Sequence, residues 1–370
     1  MKPNRGLILL LLASLLLSAC SPTIDDFASS LTSIEMERVN MTNPNNPTDR
    51  VREGAAVIYL AGGCFWGLEK LMESMPGVLD AVSGYANGNA EVIPNYQSVS
   101  SGKTGYRETV RVEYDPAQIS LDALLFAFFE VIDPTIKNAQ GHDIGTQYQS
   151  GIYYPDEASG EIVNRIAEIY RNRFTPFAVE IAPFERFYEA EDYHQDYLAN
   201  NPGGYCHISL RDIDALSQVI VDPGRYPRPS DEQIRKMLSD EQYNITQQHG
   251  TERAFQNQYW DNHAHGLYVD IVTGEPLFSS SDKFDSGTGW PSFSRGIDEN
   301  AFFLVTDTSH GMLRTEARSR AGDTHLGHVF YNEPSSPSGT RYCINSAALR
   351  FIPYEEMENE GYSYLLEYVK

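Results

Sequence analysis

Four cysteines are spread over 370 residues, at positions 20, 64, 206 and 343, and no two of them form a C-x-x-C pair. Solitary thiols serve as nucleophiles, as peroxide-reacting groups, as metal ligands, or simply as buried apolar residues. Cys64 stands apart from that last role because of its neighbours in YLAGGCFWG, residues 59–67. Flanking glycines allow close backbone approach, and packing alone does not demand both Phe65 and Trp66. The apolar run 56–63 stops at glycines, and FWGLEKLMESMPGV then carries apolar residues at helical spacing as far as Pro76. The thiol therefore falls where a strand passes into a helix. Unpaired N–H groups and the positive end of the helix dipole favour an anion there, so the Cys64 pKa is expected to fall. His142 and His194 could act as a general base, which leaves a cysteine hydrolase or transferase open on spacing alone. Metal ligation has little support, since neither half of the chain offers paired cysteines or a compact Cys/His cluster.

The elements that must hold these groups divide into two folded regions. A length of 370 residues exceeds what one core usually organises, and 41% hydrophobic and 12% aromatic residues suffice to fold the body of the chain. In the first region ETVRVEYDP alternates as a strand, SLDALLFAFFEVID is a helix opened by Ser120, SGIYYP is a strand, EIVNRIAEIYRNRF a helix and PFAVEIAPF a strand. This interleaving predicts an α+β two-layer sandwich. The second region opens on a capping box, Ser230 to Gln233, and continues in short alternating segments such as GLYVDIV, AFFLVTD and RYCINSAALRFIP. A mostly antiparallel β domain, barrel-like in outline, is expected there. The formal net charge of −23 argues against a nucleic-acid partner, which requires clustered Lys and Arg.

At the N-terminus Lys2 and Arg5 precede an apolar run from Leu7 to Leu17, shorter than the ~20 residues of a membrane-spanning helix. This is the pattern of an export signal, residues 1–20. Leu17-Ser18-Ala19-Cys20 resembles the lipobox of bacterial lipoproteins, which implies a lipidated Cys20 holding the protein at a membrane surface. The resemblance, with Ser21 after the cysteine, implies an extracytoplasmic location, periplasmic or at the outer membrane. Residues 21–52, rich in Ser, Thr, Asn and Pro, read as a flexible tether, and 211–229, ending VDPGRYPRPS, as a linker. The two folded regions are then 53–210 and 230–370.

Four motifs of the first region, GCFWG at Cys64, GYRETV around Glu108, GHDIGTQYQS through Tyr148 and GGYC ending at Cys206, together resemble an A-type peptide methionine sulfoxide reductase over nearly all of residues 55–210. The second region, through SGTGWPSF, THLGHVF and RYCINSAALRF, resembles the B-type enzyme over about 232–355. The two types act on opposite sulfoxide epimers. The A-type resemblance implies a ferredoxin-like fold, Cys64 as nucleophile and Phe65 and Trp66 around the substrate methyl group. It further implies Glu108 as a protonated acid for the sulfoxide oxygen, Tyr96 and Tyr148 as hydroxyl donors, Asp143 as a supporting acid and Cys206 as the resolving thiol. The B-type resemblance implies Cys343 as nucleophile, His325 and His328 for the oxygen and Trp290 for the methyl group. Arg341 and Asn345, two residues either side of Cys343 on a strand, share its face and are expected to steady its thiolate. A metal between His325 and His328 is disfavoured, because residues three apart on a strand point to opposite faces unless a bulge intervenes. No cofactor is implied beyond an external thioredoxin-like reductant, and the partners are oxidised proteins and peptides.

Three positions depart from the B-type pattern. Relatives hold structural zinc with two C-x-x-C pairs where this chain has Asp270, Thr273, Ser319 and Gly322, so no zinc is expected. Thr288 stands where a resolving cysteine usually lies, so an external reductant is expected to attack oxidised Cys343 directly, with Cys206 reaching across as the alternative. Asn332, where relatives carry Asp, is expected to retune the histidines slightly. Two other classes of function compete: a hydrolase using Cys64 and His194, indifferent to dithiothreitol, and a non-catalytic lipoprotein module in which the cysteines do nothing.

Overall fold

The computed structural model describes residues 51–370; the expected export signal, Cys20 and nearly all of the expected tether lie outside the described residues. In the first region β1 (Ala56–Ala61) leads into α1 (Phe65–Ser74), β2 (Val78–Ala86), the short α2 (Tyr96–Ser100) and β3 (Arg107–Tyr114). Then come α3 (Leu121–Glu130), a two-residue pair β4 (Ala139–Gln140) and β5 (Asp143–Ile144), β6 (Gly151–Tyr154), α4 (Glu157–Arg173), β7 (Glu180–Pro183) and β8 (Phe187–Glu189). Six of these strands form one sheet in the order β7-β6-β1-β3-β2-β8, antiparallel except where β6 meets β7. The helix-on-sheet sandwich expected from the interleaved pattern is the architecture found.

Strand β3 lies inside this sheet and is buried on both faces, which its alternation alone does not reveal. Val110, Val112 and Tyr114 point into the main core, and Glu108, an even number of residues away, shares their face. On the other face Arg111 and Glu113 pair at 3.1 Å, both buried. Helix α3 is apolar nearly all round, a pattern that needs cover on every side. Phe129 stacks on Tyr170 of α4 at 4.0 Å, and Phe126 lies 6.0 Å from Phe303 of the second region. Each such aromatic or aliphatic side chain, fully buried, contributes about 1.5–3 kcal/mol relative to exposure.

The segment 211–229, expected as a linker, is ordered chain. Helix α5 (Tyr197–Asn200) precedes it, and α6 (Leu210–Ser217), capped by Ser209, buries Ile213 and Leu216. Val221 follows with no exposure, its N–H on Asp298 at 2.9 Å and its carbonyl taken by Arg320 at 2.8 Å. The Pro and Gly residues there form a turn held by Asp222, which also binds the Ser120 N–H at 2.9 Å. Apolar residues spaced over two short turns carry too weak a periodicity to announce this from sequence.

The second region begins with α7 (Asp231–Met237) and α8 (Asp240–Gln248), each opened by a capping box. Strands β9 (Gly266–Asp270) and β10 (Pro276–Ser279) follow, then β11 (Lys283–Phe284), β12 (Ser292–Phe293), β13 (Phe302–Asp307), β14 (Arg314–Ser319), β15 (His325–Tyr331), β16 (Thr340–Ile344) and β17 (Leu349–Pro353). They make two antiparallel sheets, β10-β9-β17 and β11-β12-β16-β15-β14-β13. The sheets face one another across an aromatic core in which Phe278 stacks on Phe293 at 4.2 Å.

The two regions share buried surface. Adjacent residues of β13 serve different cores: Phe302 packs within the second region, while Phe303 belongs to the core of the first. The Arg173 guanidinium lies 3.6 Å over the Phe303 ring, and Asn300 donates to the Ala215 carbonyl at 3.0 Å. No helix among the described residues is long and apolar enough to cross a membrane.

Candidate active sites

Cys64 is the N-cap of α1, preceded by Gly63 at φ +86°, a left-handed turn that a side chain would strain and that brings the backbone against Gln140. The thiol is only 6% exposed. Its pKa stands well above the usual value, opposite to the expectation: burial raises it most, the Glu108 charge adds to that, and the hydrogen bond from the Trp66 N–H offsets only part. The helix terminus is present, but the enclosure around it outweighs the dipole.

That enclosure is aromatic. Trp66 stacks on Tyr197 of α5 at 3.8 Å, and the buried His194 ring touches Phe65, Trp66 and Tyr96 at 5.0, 5.7 and 4.9 Å. Trp66 Nε1 and both ring nitrogens of His194 are buried without a hydrogen-bond partner. Glu108 enters from the core face of β3 and accepts the Phe65 N–H at 3.3 Å. Burial pushes its pKa to about 8, with the charges of Asp143 and Glu191 adding to the shift, so it keeps its proton at neutral pH. Burial also raises the Tyr148 pKa, and the charges of Glu108, Tyr96 and Cys64 raise it further. Tyr96 is fixed by its backbone N–H to Glu191 at 2.9 Å, and Glu191 also accepts the Tyr85 hydroxyl at 2.9 Å. Asp143 accepts the Tyr205 hydroxyl at 3.0 Å, beside Cys206, which is a half-buried free thiol.

His194 and Tyr197 were not assigned to the aromatic cage from sequence. The signal available was the run YHQDYL, which sets a histidine and a tyrosine three apart. As a hydrolase base His194 is poorly placed: burial lowers its pKa to about 3, and no hydrogen bond joins it to Cys64. His142 is exposed.

In the second region Cys343 and the side chains beside it lie in a row across four strands. Register pairs Ser292 of β12 with Cys343 of β16, Cys343 with His328 of β15, and His328 with Glu316 of β14, so their side chains share one face. His325 joins them through a bulge, because the β14–β15 register shifts between Ala317 and Arg318. Gly327 there has φ +152°, and a side chain on it would collide with the Cys343 carbonyl. The two histidines, which an unbroken strand would turn to opposite faces, therefore meet at 5.7 Å between ring centroids.

Burial raises the Cys343 pKa, and the Arg341 charge and the Thr288 hydroxyl offset part of it. Thr288, read from sequence only as a missing cysteine, thus lies near the thiol. It continues a hydroxyl chain to Ser286 and Ser292, with 2.8 Å at each step. Arg341 is braced by Glu333 at 2.9 Å and lies over Phe330. Asn345 works on the backbone: its amide donates to the Leu326 carbonyl at 3.0 Å and its oxygen accepts the Glu252 N–H at 3.2 Å. Trp290 donates through Nε1 to the Glu252 carbonyl at 3.2 Å. Asn332 is exposed in a left-handed turn with no hydrogen bond to either histidine, so the expected retuning has no contact to act through.

Glu316 accepts from Nδ1 of both His249 and His325, at 2.8 and 2.5 Å. Burial opposes its charge, but these hydrogen bonds hold its pKa down at about 2. The three side chains are the group of possible metal ligands found among the described residues, with donor atoms within 4.8 Å. At the positions where relatives hold zinc, Asp270 accepts the Ser319 hydroxyl at 2.5 Å and the Val272 N–H at 2.7 Å. A Cβ at Gly322 would meet Asp270 Oδ2 at 2.5 Å and Thr324 Oγ1 at 2.6 Å. One carboxylate tied to hydroxyls supplies no thiolate and does not fit tetrahedral zinc–sulfur ligation.

The folds and their sites define a thiol-dependent reductase with one cysteine centre in each domain. The family model described as peptide methionine sulfoxide reductase matches residues 56–220, and the SelR domain model matches 238–353. Mxr1 from Saccharomyces cerevisiae in its reduced form is similar at 37% identity, with 43% of this chain and 93% of that chain covered and a TM-score of 0.41. Methionine sulfoxide reductase A of Corynebacterium diphtheriae is similar at 36% identity, with 42% and 79% covered and a TM-score of 0.39. The chain carries a peptide methionine sulfoxide reductase domain, the A-type, followed by a SelR domain, the B-type, and is a bifunctional oxidoreductase.

Proposed function

We propose that the first domain reduces the S epimer and the second the R epimer of free or peptide-bound methionine sulfoxide, each through a cysteine sulfenic acid. In the first domain the Cys64 sulfur attacks the sulfoxide sulfur while protonated Glu108 gives its proton to the oxygen. The sulfur–sulfur bond formed in the attack and the sulfur–oxygen bond of the substrate then break as the hydroxyl passes to Cys64, methionine leaves, and the thiol proton of Cys64 returns to Glu108. Phe65 and Trp66 enclose the methyl group, and Tyr96 and Tyr148 orient the oxygen. Cys206 then condenses with the sulfenic acid, forming a disulfide and water. An external dithiol of the thioredoxin type reduces that disulfide.

Cys343 attacks the R epimer in the same way, with His325 and His328 at the oxygen and Trp290 against the methyl group. With Thr288 in place of a local thiol, the oxidised Cys343 is reduced directly from outside. The first domain's β-α-β-β-α-β core supports a ferredoxin-like description, and the facing sheets of the second a barrel-like one. The domains extend over 53–210 and 230–370. The charged, apolar and small-residue pattern of 1–20 supports export and lipidation at Cys20, and hence repair of oxidised extracytoplasmic proteins at a bacterial membrane surface.

The observation that carries this reading is the pairing of a helix-capping thiol with a buried acid that keeps its proton, inside an aromatic cage. Thiol counting after one turnover without reductant tests it. The S epimer should consume both Cys64 and Cys206, and the R epimer should leave a single oxidised Cys343 open to sulfenic-acid probes. A Cys206–Cys343 disulfide after R-epimer turnover would contradict the direct route.

A further inference from the structure

Gly67 lies in the first turn of α1, three residues after Cys64, with an ordinary helical backbone. A glycine inside a helix costs about 1 kcal/mol relative to alanine, so the position needs a reason other than propensity. The reason is room. A Cβ at Gly67 would stand 2.8 Å from the Cys206 Sγ and 3.3 Å from Cδ1 and Cγ1 of Ile208, inside the ~3.5–4.0 Å at which non-bonded heavy atoms rest.

The segment that carries Cys206 is tied to this helix end from both sides. Before the cysteine, the Tyr205 hydroxyl donates to Asp143 at 3.0 Å. After it, His207 Nε2 donates to the Gly62 carbonyl at 2.9 Å, and Ile208 is buried in the main core. Gly63 adds clearance, since a Cβ there would come within 3.3 Å of His207 Nε2.

We propose that Gly67 is the seat of the resolving thiol: its missing side chain lets Cys206 rest against the helix that presents Cys64, so the disulfide forms without the segment having to dock first. The proposal rests on the reading of Cys206 as the resolving residue. In the step concerned, the sulfur–oxygen bond of Cys64 sulfenic acid breaks and a sulfur–sulfur bond to Cys206 forms. The hydroxyl leaves as water with the Cys206 proton. Gly67 is a positioning residue and contributes nothing to the attack on the sulfoxide.

The test is a rapid-quench single turnover of the full chain on the S epimer of a methionine sulfoxide peptide, without reductant. Methionine formed, free thiols and dimedone-reactive sulfenic acid are followed together. Gly67→Ala should form methionine at the wild-type rate but close the disulfide at least about tenfold more slowly, because misplacement by 1 Å can cost that much or more. Sulfenic acid should accumulate, as it should in Cys206→Ser. The double variant Gly67→Ala/Cys206→Ala should match Cys206→Ala in methionine formation, showing that the added methyl leaves the reacting end of α1 intact. A disulfide closing at the wild-type rate in Gly67→Ala would overturn the seat. If Cys206→Ser itself still lost two thiols per turnover, the resolving role would fall, and the seat with it.

Discussion

The imidazoles of His325 and His328 meet edge to face at 5.7 Å, and each leans on its own carboxylate: Nδ1 of His325 on Glu316 at 2.5 Å, Nε2 of His328 on Asp307 at 2.8 Å. Neither acid was singled out from sequence, although both are charged residues on alternating strands. The Glu316 bond fixes which His325 nitrogen faces the site, and leaves Nε2 buried and unpartnered there. Glu316→Gln should lower kcat for the R epimer by roughly tenfold or more, the range of a misaligned acid–base group, and leave S-epimer turnover unchanged. Separate kinetics with each epimer check this.

On the proposed mechanism, Glu108 sets the alkaline limit of the first domain. Its raised pKa, about 8, means that the proton it must donate is held below that pH and lost above it. S-epimer turnover should therefore fall as pH rises through about 8. Glu108→Gln should abolish that limb and reduce the rate by about 10²–10⁴, the usual contribution of a positioned acid. The R-epimer profile should be indifferent to the substitution.

The Thr288 hydroxyl partly offsets the effect of burial on the Cys343 pKa. Thr288→Val keeps the shape and removes the donor, so the thiol should titrate at still higher pH and react more slowly with iodoacetamide. Thr288→Cys should convert the R site from one thiol lost per turnover to two. Thiol counts on both variants decide it.

Asp270 is buried, and its carboxylate ties Ser319 to the turn at Val272. Asp270→Ala leaves those donors without a partner and should destabilise the chain by about 1–3 kcal/mol, seen as a lower Tm. Dialysis of the wild type against a zinc chelator should leave R-epimer turnover unchanged.

Much of this arrangement was legible in local pattern. The strand-to-helix junction at Cys64 follows from an apolar run ending at glycines, and the alternation of RETVRVEY already places Glu108 on the face of Val110 and Val112. What local pattern could not supply was the surroundings. Burial raises the Cys64 pKa, and the aromatic cage beside it is closed by Tyr197 and His194, more than a hundred residues away. The histidine pair needed the bulge at Gly327 in β15, and one glycine within THLGH does not announce a bulge. Phe303 lies in AFFLVTD, read from sequence only as an alternating segment, and its partners, Phe126 and Arg173, belong to the other domain.

The central claim is that two separate cysteine centres divide the two epimers between them. Its most direct test supplies each epimer in turn, with dithiothreitol as reductant, to Cys64→Ser and Cys343→Ser. The first variant should lose S-epimer reduction alone and the second R-epimer reduction alone. Loss of both activities from either single substitution, or loss of neither, would contradict it.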